Sequence, residues 1–365
     1  LGFPVCVREG FYRRAVLEGL AAQPDRVYER LLWQPTLTID ARPSKIYNLA
    51  SMAIRVYPPI TNASGPNSVT YEELERIARS AAGAIVTKSM THCPRQGNPE
   101  PRLRAHLDNE LGSLNSMGLP NLGYQAYAKF IPKLKEFGKP VIASIASAPC
   151  AHKLSPIEQY REIAVAIEKA GADAIELNLS CPNLEDVPIA MDPPSVRAVL
   201  ESVTRAVKIP VGVKLAPYNN VPKLFEEIAQ TLLDFEIAYV ATINSEPLTL
   251  DIDVKTRTKV IRPHDGFGGL GGPAVLPIAL AEVHRFYKFF QRHNAPIAVW
   301  GVGGITKPED AIKHFLAGAS VVQIGTLFLW EGPQAFENLW AGIQRWLHEN
   351  GFSHIEEIIG QVREI

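Results

Sequence analysis

The residues of this chain best suited to chemistry fall in one short stretch. Asn178-Leu179-Ser180-Cys181-Pro182-Asn183 offers two carboxamides and one thiol within six positions, directly after Ala174-Ile175-Glu176-Leu177. Each Asn carries both a donor and an acceptor, so the pair can frame a flat polar heterocycle beside a proton-transfer group. Taken alone, the stretch reads equally well as a strand end followed by a turn. Cys181 could serve as nucleophile, metal ligand or general base. No His/Asp arrangement is evident nearby and no second Cys is close in sequence, so acyl transfer and metal binding lack support, and no metal is expected. A thiol with a pKa of about 8.5 can take a carbon-bound proton when a loop covers it and a cation favours the thiolate. General base is the preferred role.

Other candidates sit where apolar runs end: Asn62-Ala63-Ser64-Gly65, Lys88-Ser89, Lys214, Asn244-Ser245, Gly301-Val302-Gly303-Gly304 and Gly325-Thr326. Polar side chains gathered at one end of an apolar framework are costly unless they bind something. Lys is rarely buried without a partner. A reduced flavin, negative near N1 of its ring, would supply one for Lys88 and Lys214; the alternative is a lysine reaching past the strand end to solvent or to a structural carboxylate. The two Gly-rich turns fit a phosphate, since backbone N–H groups can approach its oxygens closely there. They could also be turns chosen for φ alone.

The elements that position these residues repeat as strand, loop, helix from Ser51 onward. Apolar runs occur at Val56 to Thr61, Gly83 to Thr87, Val141 to Ile145, Ala172 to Leu177, Val211 to Leu215, Ala238 to Ile243, Ile297 to Trp300 and Val321 to Ile324. Amphipathic stretches separate most of them: Tyr71 to Ala82, Gln125 to Phe137, Pro156 to Ala170, Pro194 to Val207, Val221 to Asp234, Pro277 to Gln291 and Pro308 to Ala317. Short apolar strands alternating with helices argue for a parallel sheet covered by helices. Eight strands predict a closed (β/α)8 TIM barrel, with Pro333 to Asn350 as a last helix closing the ring. An open doubly wound sheet is the alternative, but the first strand has no Gly-rich dinucleotide fingerprint. Met90 to Leu122 and Glu246 to Gly272 interrupt the alternation as long excursions, the kind that form lids or binding elements. Residues 1–46 read as a helical N-terminal extension that packs on the main domain or docks elsewhere, and residues 47–365 as the catalytic barrel.

Composition excludes several classes. With 365 residues, 46% hydrophobic, 37 basic and 38 acidic, the chain buries a large core and has no global field for nucleic acid or an anionic membrane. No apolar run approaches the roughly 20 residues that span a bilayer. Cys6, Cys93, Cys150 and Cys181 are scattered without metal-like spacing and suit a reducing, cytoplasmic setting in which Cys181 stays a free thiol.

Taken together, these residues resemble the dihydroorotate dehydrogenases, FMN-containing (β/α)8 enzymes of pyrimidine biosynthesis. The resemblance rests on Asn62-Ala63-Ser64-Gly65, Thr87-Lys88-Ser89, Gly97-Asn98-Pro99-Glu100-Pro101-Arg102, Asn115-Ser116-Met117-Gly118-Leu119-Pro120-Asn121, Asn178 to Asn183, Gly212-Val213-Lys214-Leu215, Asn244-Ser245, Asp265 to Gly272, Gly303-Gly304 and Gln323-Ile324-Gly325-Thr326, in family order. Cys181 and the two segments beginning at Gly97 and Asn115 look like class 1A, the homodimeric type that uses fumarate. The resemblance implies oxidation of dihydroorotate to orotate, with Cys181 removing the C5 proton and the C6 hydride going to FMN. Lys88, Asn115, Met117, Gly118, Leu119, Asn178, Asn183, Asn244 and Ser245 would hold the pyrimidine, with Lys88 also counted catalytic. Ala63, Ser64, Lys88, Ser89, Asn178, Lys214, Ile243, Gly271, Gly272, Gly303, Gly304, Gly325 and Thr326 would hold FMN.

The chain departs from that pattern at Glu246-Pro247-Leu248, where a glycine-containing turn is usual, and at Leu184-Glu185-Asp186-Val187-Pro188, Asn219-Asn220 and Arg104 to Glu110. A two-helix extension is also reminiscent of class 2 members, whose helices form a quinone tunnel, so a quinone acceptor stands beside fumarate. An FMN-dependent reductase of a related pyrimidine or enone is the alternative activity, and a non-catalytic flavin-binding barrel a further one.

Overall fold

The structure, a computed structural model, describes residues 54–150, 154–180 and 188–365. The extension expected over 1–46 and the residues Cys181 and Asn183 lie outside the described residues. The barrel strands are β1 (Ile60–Asn62), β2 (Ile85–Val86), β3 (Val141–Ile145), β4 (Ala174–Asn178), β5 (Val211–Lys214), β6 (Tyr239–Thr242), β7 (Ala298–Val302) and β8 (Val321–Ile324). They pair in parallel in ring order, and β1 joins β8 (Ile60 to Val322). Thr61 bridges to Ala84 at the start of β2, which closes the cylinder and rules out the open doubly wound sheet.

Helices α1 (Tyr71–Arg79), α2 (Tyr124–Lys135), α3 (Pro156–Lys169), α4 (Pro193–Thr204), α5 (Pro222–Leu232), α6 (Leu276–Arg292) and α7 (Pro308–Ala317) follow strands on the outside. Their starts are written locally. Thr70 with Glu73, and Ser155 with Glu158, form capping boxes that satisfy the first free N–H groups of α1 and α3. Pro stands in the first turn of α3, α4, α5, α6 and α7, where its missing N–H costs nothing. Helix α8 (Thr326–Glu331), unforeseen in the sequence, comes directly after β8, and α9 (Gln334–Glu349) is the long closing helix. No described helix is long and apolar enough to cross a membrane.

Strand alternation divides the apolar residues between two cores. One face packs against the helices, where Ile175, Leu177, Val213 and Val240 meet residues such as Ile163, Leu200 and Phe286. The other fills the cylinder with small residues, Ala63, Ala84, Ala174 and Ala241, around the stacked rings of Tyr239 and Trp300, whose centroids are 3.7 Å apart. Rings of this size bury about 150–250 Å² each, on the order of 4–6 kcal/mol of apolar transfer as an upper bound. This stack makes the barrel's floor solid.

The two excursions are less irregular than their sequences suggest. Leu103–Arg104 and Ser113–Asn115 from the first, with Glu246–Thr249 and Gly268–Gly271 from the second, form one four-stranded sheet. Its antiparallel register sets Gly269 opposite Asn115 and Leu270 opposite Leu114. Trp330 of α8 ties the first excursion down by donating Nε1–H to the Ala105 carbonyl (2.7 Å) while stacking on His106.

Cys93 and Cys150 form a disulfide, with Cα atoms 6.0 Å apart. They lie 57 residues apart in sequence, yet they come after β2 and β3, which are neighbours in the ring, and that adjacency brings them together. His92 beside this pair completes the only metal-ligand type of grouping among the described residues, and its sulfurs are bonded to each other.

Candidate active site

Polar residues at the C-terminal ends of the strands converge on one cavity of about 1100 Å³, its open mouth included. Strand β1 delivers Ala63 and Ser64, β2 Lys88 and Ser89, β4 Asn178, β5 Lys214, β6 Ile243, Asn244 and Ser245, β7 Gly303 and Gly304, and β8 Gly325 and Thr326. The excursion sheet contributes Asn115, Gly271 and Gly272, and the turn after it Met117 and Leu119. All of these are residues singled out in the sequence. Gly118 is not part of the lining: it packs against Asn98, and its carbonyl accepts from Arg95 Nε (3.3 Å).

One wall is a chain of neutral hydrogen bonds. Ser89 Oγ lies 3.3 Å from Ser64 Oγ and 2.9 Å from Ser144 Oγ, and it accepts from Asn178 Nδ2 (2.9 Å). Asn178 Oδ1 accepts from both the backbone N–H and the hydroxyl of Ser180, and Asn244 Nδ2 donates to Ser180 Oγ (3.0 Å). Ser180, the residue before Cys181, is thereby fixed to the cavity wall by two asparagines. Asn115 is oriented across the mouth by donating to the Gly269 carbonyl (3.0 Å). Lys88 Nζ donates to the Ser64 carbonyl (3.2 Å) and is almost fully buried.

The floor carries charge. Lys214 is buried, and its ammonium donates to Gln323 Oε1 (3.4 Å). Gln323 Nε2 donates in turn to Glu176 Oε2 (2.8 Å), which also accepts from Tyr239 (3.3 Å). Burial pushes the Lys214 ammonium below its ordinary range, and the Glu176 carboxylate opposes that shift. Burial, reinforced by Glu176, holds the Tyr239 phenol well above its usual value, so it remains a donor. Sequence reasoning named Lys214 but missed the partners that hold it, although the signal was present: Glu176 and Gln323 are polar residues at alternating, inward positions of otherwise apolar strands. It also passed over Ser113, Leu103, Ile305 and Leu329, which add wall area. Ser113 Oγ lies 3.0 Å from Thr326 Oγ1 and so joins the excursion sheet to the last Gly-rich turn.

The turn after β7 requires glycine. Gly303 and Gly304 have φ of +115° and +79°, and a side chain on Gly304 would strike Leu276 at the start of α6. His314, fully buried on α7, braces this turn by donating Nε2–H to the Gly303 carbonyl (2.9 Å). Burial pushes its pKa from 6.5 down to about 4, against the raising effects of the Gly303 bond and Asp310. Between those values the unfolded chain binds a proton that the folded chain refuses. Stability is therefore expected to fall as pH drops from about 6.5 toward 4, by roughly 3 kcal/mol. The His314→Gln variant, whose amide still donates, should flatten that limb of the melting temperature against pH; coincident curves would remove His314 as its origin.

Comparison with known proteins places this geometry in context. Residues 50–347 match the family model described as dihydroorotate dehydrogenase. The chain is 40% identical over 310 residues to dihydroorotate dehydrogenase (fumarate) of Trypanosoma cruzi, covering 84% of this chain and 95% of that protein. It is 38% identical over 311 residues to dihydroorotate dehydrogenase A (fumarate) of Lactococcus lactis subsp. cremoris, covering 84% and 96%. A crystal structure of DHODH from Eimeria tenella in complex with ferulenol shares the fold, with a TM-score of 0.70 at 20% identity over 83% of this chain and 84% of that one. With a match running through the barrel, both excursions and the cavity-lining strand ends, the chain belongs to the dihydroorotate dehydrogenase family, whose members are flavin-dependent.

Proposed function

We propose that the cavity binds FMN and that the protein oxidises dihydroorotate to orotate, with fumarate as electron acceptor. The observation that carries this reading is one cavity with a buried ammonium on its floor, Gly-rich turns on one side and the carboxamides of Asn115, Asn178 and Asn244 on the other.

Gly303, Gly304, Gly325 and Thr326 would hold the phosphate, with Ala63, Ser64, Ser89, Ile243, Gly271 and Gly272 along the rest of the cofactor. Lys214 would face the ring where negative charge develops. Bound FMN supplies the two-electron acceptor that receives the C6 hydride. The three asparagines and Ser245, with Lys88, Met117 and Leu119, would orient the pyrimidine and its carboxylate, and Asn183 would join them. Cys181 as thiolate would take the C5 proton, so that a C5=C6 double bond forms. Fumarate supports the acceptor assignment through the names of the relatives; a homodimer and a cytoplasmic location come with the resemblance.

Purified protein should be yellow and release FMN identifiable by mass. Dihydroorotate should bleach it anaerobically, and fumarate should restore the colour. A colourless protein that takes up no FMN would sink the proposal. Bleaching by dihydrouracil as fast as by dihydroorotate would favour the alternative reductase, since only the second uses the carboxylate contacts. Recovery of colour with a soluble quinone but not with fumarate would reassign the acceptor.

A further inference from the structure

The floor beneath the cavity contains a carboxylate that the chemistry proposed above does not use. Glu176 is completely inaccessible to solvent, at the centre of a barrel filled mostly by alanines and two aromatic rings. Burying a carboxylate there is costly unless it is paired and hydrogen-bonded. Its Oε2 accepts from Gln323 and Tyr239, while Oε1 has no hydrogen-bond partner among the described residues. The arrangement is therefore expensive for a purely structural role.

The geometry shows what Glu176 sets. Because its carboxylate accepts from Gln323 Nε2, the amide of Gln323 must turn its oxygen the other way, and that oxygen is the acceptor for Lys214 Nζ. A flipped amide would aim N–H groups at the ammonium. The same carboxylate is fixed from below by Tyr239, for which Gly212 on the neighbouring strand makes room: a side chain at 212 would overlap the ring. Around Lys214, β4 presents Glu176 and Asn178, β6 the protonated Tyr239 and β8 the neutral Gln323. Strands β1, β3 and β7 present Ala63, Ser144 and Trp300, none of them titrating here, and Lys88 at the end of β2 lines the same cavity. Glu176 is the anion that acts on Lys214.

We propose that Glu176 is a positioning residue: by its charge and through the Gln323 amide it holds the Lys214 ammonium in place on the cavity floor, and so sets how much more tightly reduced flavin is held than oxidised flavin. This rests on the reading of the cavity as a flavin site. The measured quantity is the ratio of affinities for reduced and oxidised FMN, from potentiometric titration of the FMN-loaded protein between pH 6 and 9.

Relative to wild type, Glu176→Gln is expected to lower that ratio and to make it fall about tenfold per pH unit over the interval in which Lys214 now loses its proton. Glu176→Asp, which keeps the charge, should track wild type. Glu176→Gln combined with Lys214→Arg should lose the extra pH dependence, because a guanidinium does not titrate in this range. A Glu176→Gln profile parallel to wild type at every pH overturns the proposal, as does an Asp variant that behaves like Gln. If Glu176→Gln does not accumulate, Gln323→Met interrupts the same chain; a tenfold or larger fall in the ratio supports the role and an unchanged ratio overturns it. Wild-type protein that binds no flavin would instead defeat the reading of the cavity.

Discussion

Anaerobic reduction of the flavin by dihydroorotate is expected to slow by roughly three orders of magnitude in Cys181→Ala, within the roughly 10²–10⁴-fold range of general-base contributions, while orotate binds about as before. The thiol would move only the C5 proton. The frame proposed for the pyrimidine, Asn115, Asn178 and Asn244, is held by bonds to Gly269, Ser89 and Ser180 rather than to the thiol. Cys181→Ser should keep a small residual rate that rises with pH, because a hydroxyl is ionised far less than a thiol near neutrality. Stopped-flow absorbance of the flavin, with orotate titrated separately, reads both effects. An alanine variant reduced at the wild-type rate would remove Cys181 as the base.

Lys214→Met is expected to produce two separable defects. The side chain keeps most of its length but loses its charge, so FMN should be held less tightly and its reduction slowed by about 10²-fold, the scale of losing one preorganised electrostatic contact. The folded protein should also lose stability, because the buried Glu176 carboxylate is left without the cation it reaches through Gln323. Adding Glu176→Gln removes the stranded carboxylate. The double variant should recover much of the melting temperature and none of the flavin defect. Recovery of both would mean that Lys214 serves the fold alone, and recovery of neither would mean that Glu176 is not its counter-charge.

Much of the barrel is legible in the sequence because its rules are local. Val141 to Ile145 and Val321 to Ile324 form strands over the same spans that their apolar runs define, and α7 covers Pro308 to Ala317 as its periodicity requires. The strand-end residues converge because a parallel barrel points every strand the same way, so the residues just past each apolar run all lie on one rim. The excursion sheet was not legible. Its strands are two to four residues long, several are half exposed, and their pairing joins segments 154 residues apart through Asn115 and Gly269. No local periodicity encodes such a pairing. The Cys93–Cys150 bond was hidden for the same reason, since only the ring order makes β2 and β3 neighbours. Glu176 was visible as a residue but silent as a function, because a lone acid in an apolar strand acquires meaning only from the Gln323 and Lys214 that tertiary structure sets beside it.

The excursion sheet and the barrel seam share a consequence for how this protein is made. Ser113–Asn115 gains its second neighbour only when Gly268–Gly271 leaves the ribosome, and β1 has no partner on one side until β8 does. At elongation rates of about 5–20 residues per second, both edges stay open for many seconds of translation. A nascent chain in that interval shows unpaired backbone and apolar strand faces to its surroundings. Newly made protein should therefore be most exposed to aggregation and to chaperones during synthesis of the middle of the chain, before the last third closes the mouth and the ring.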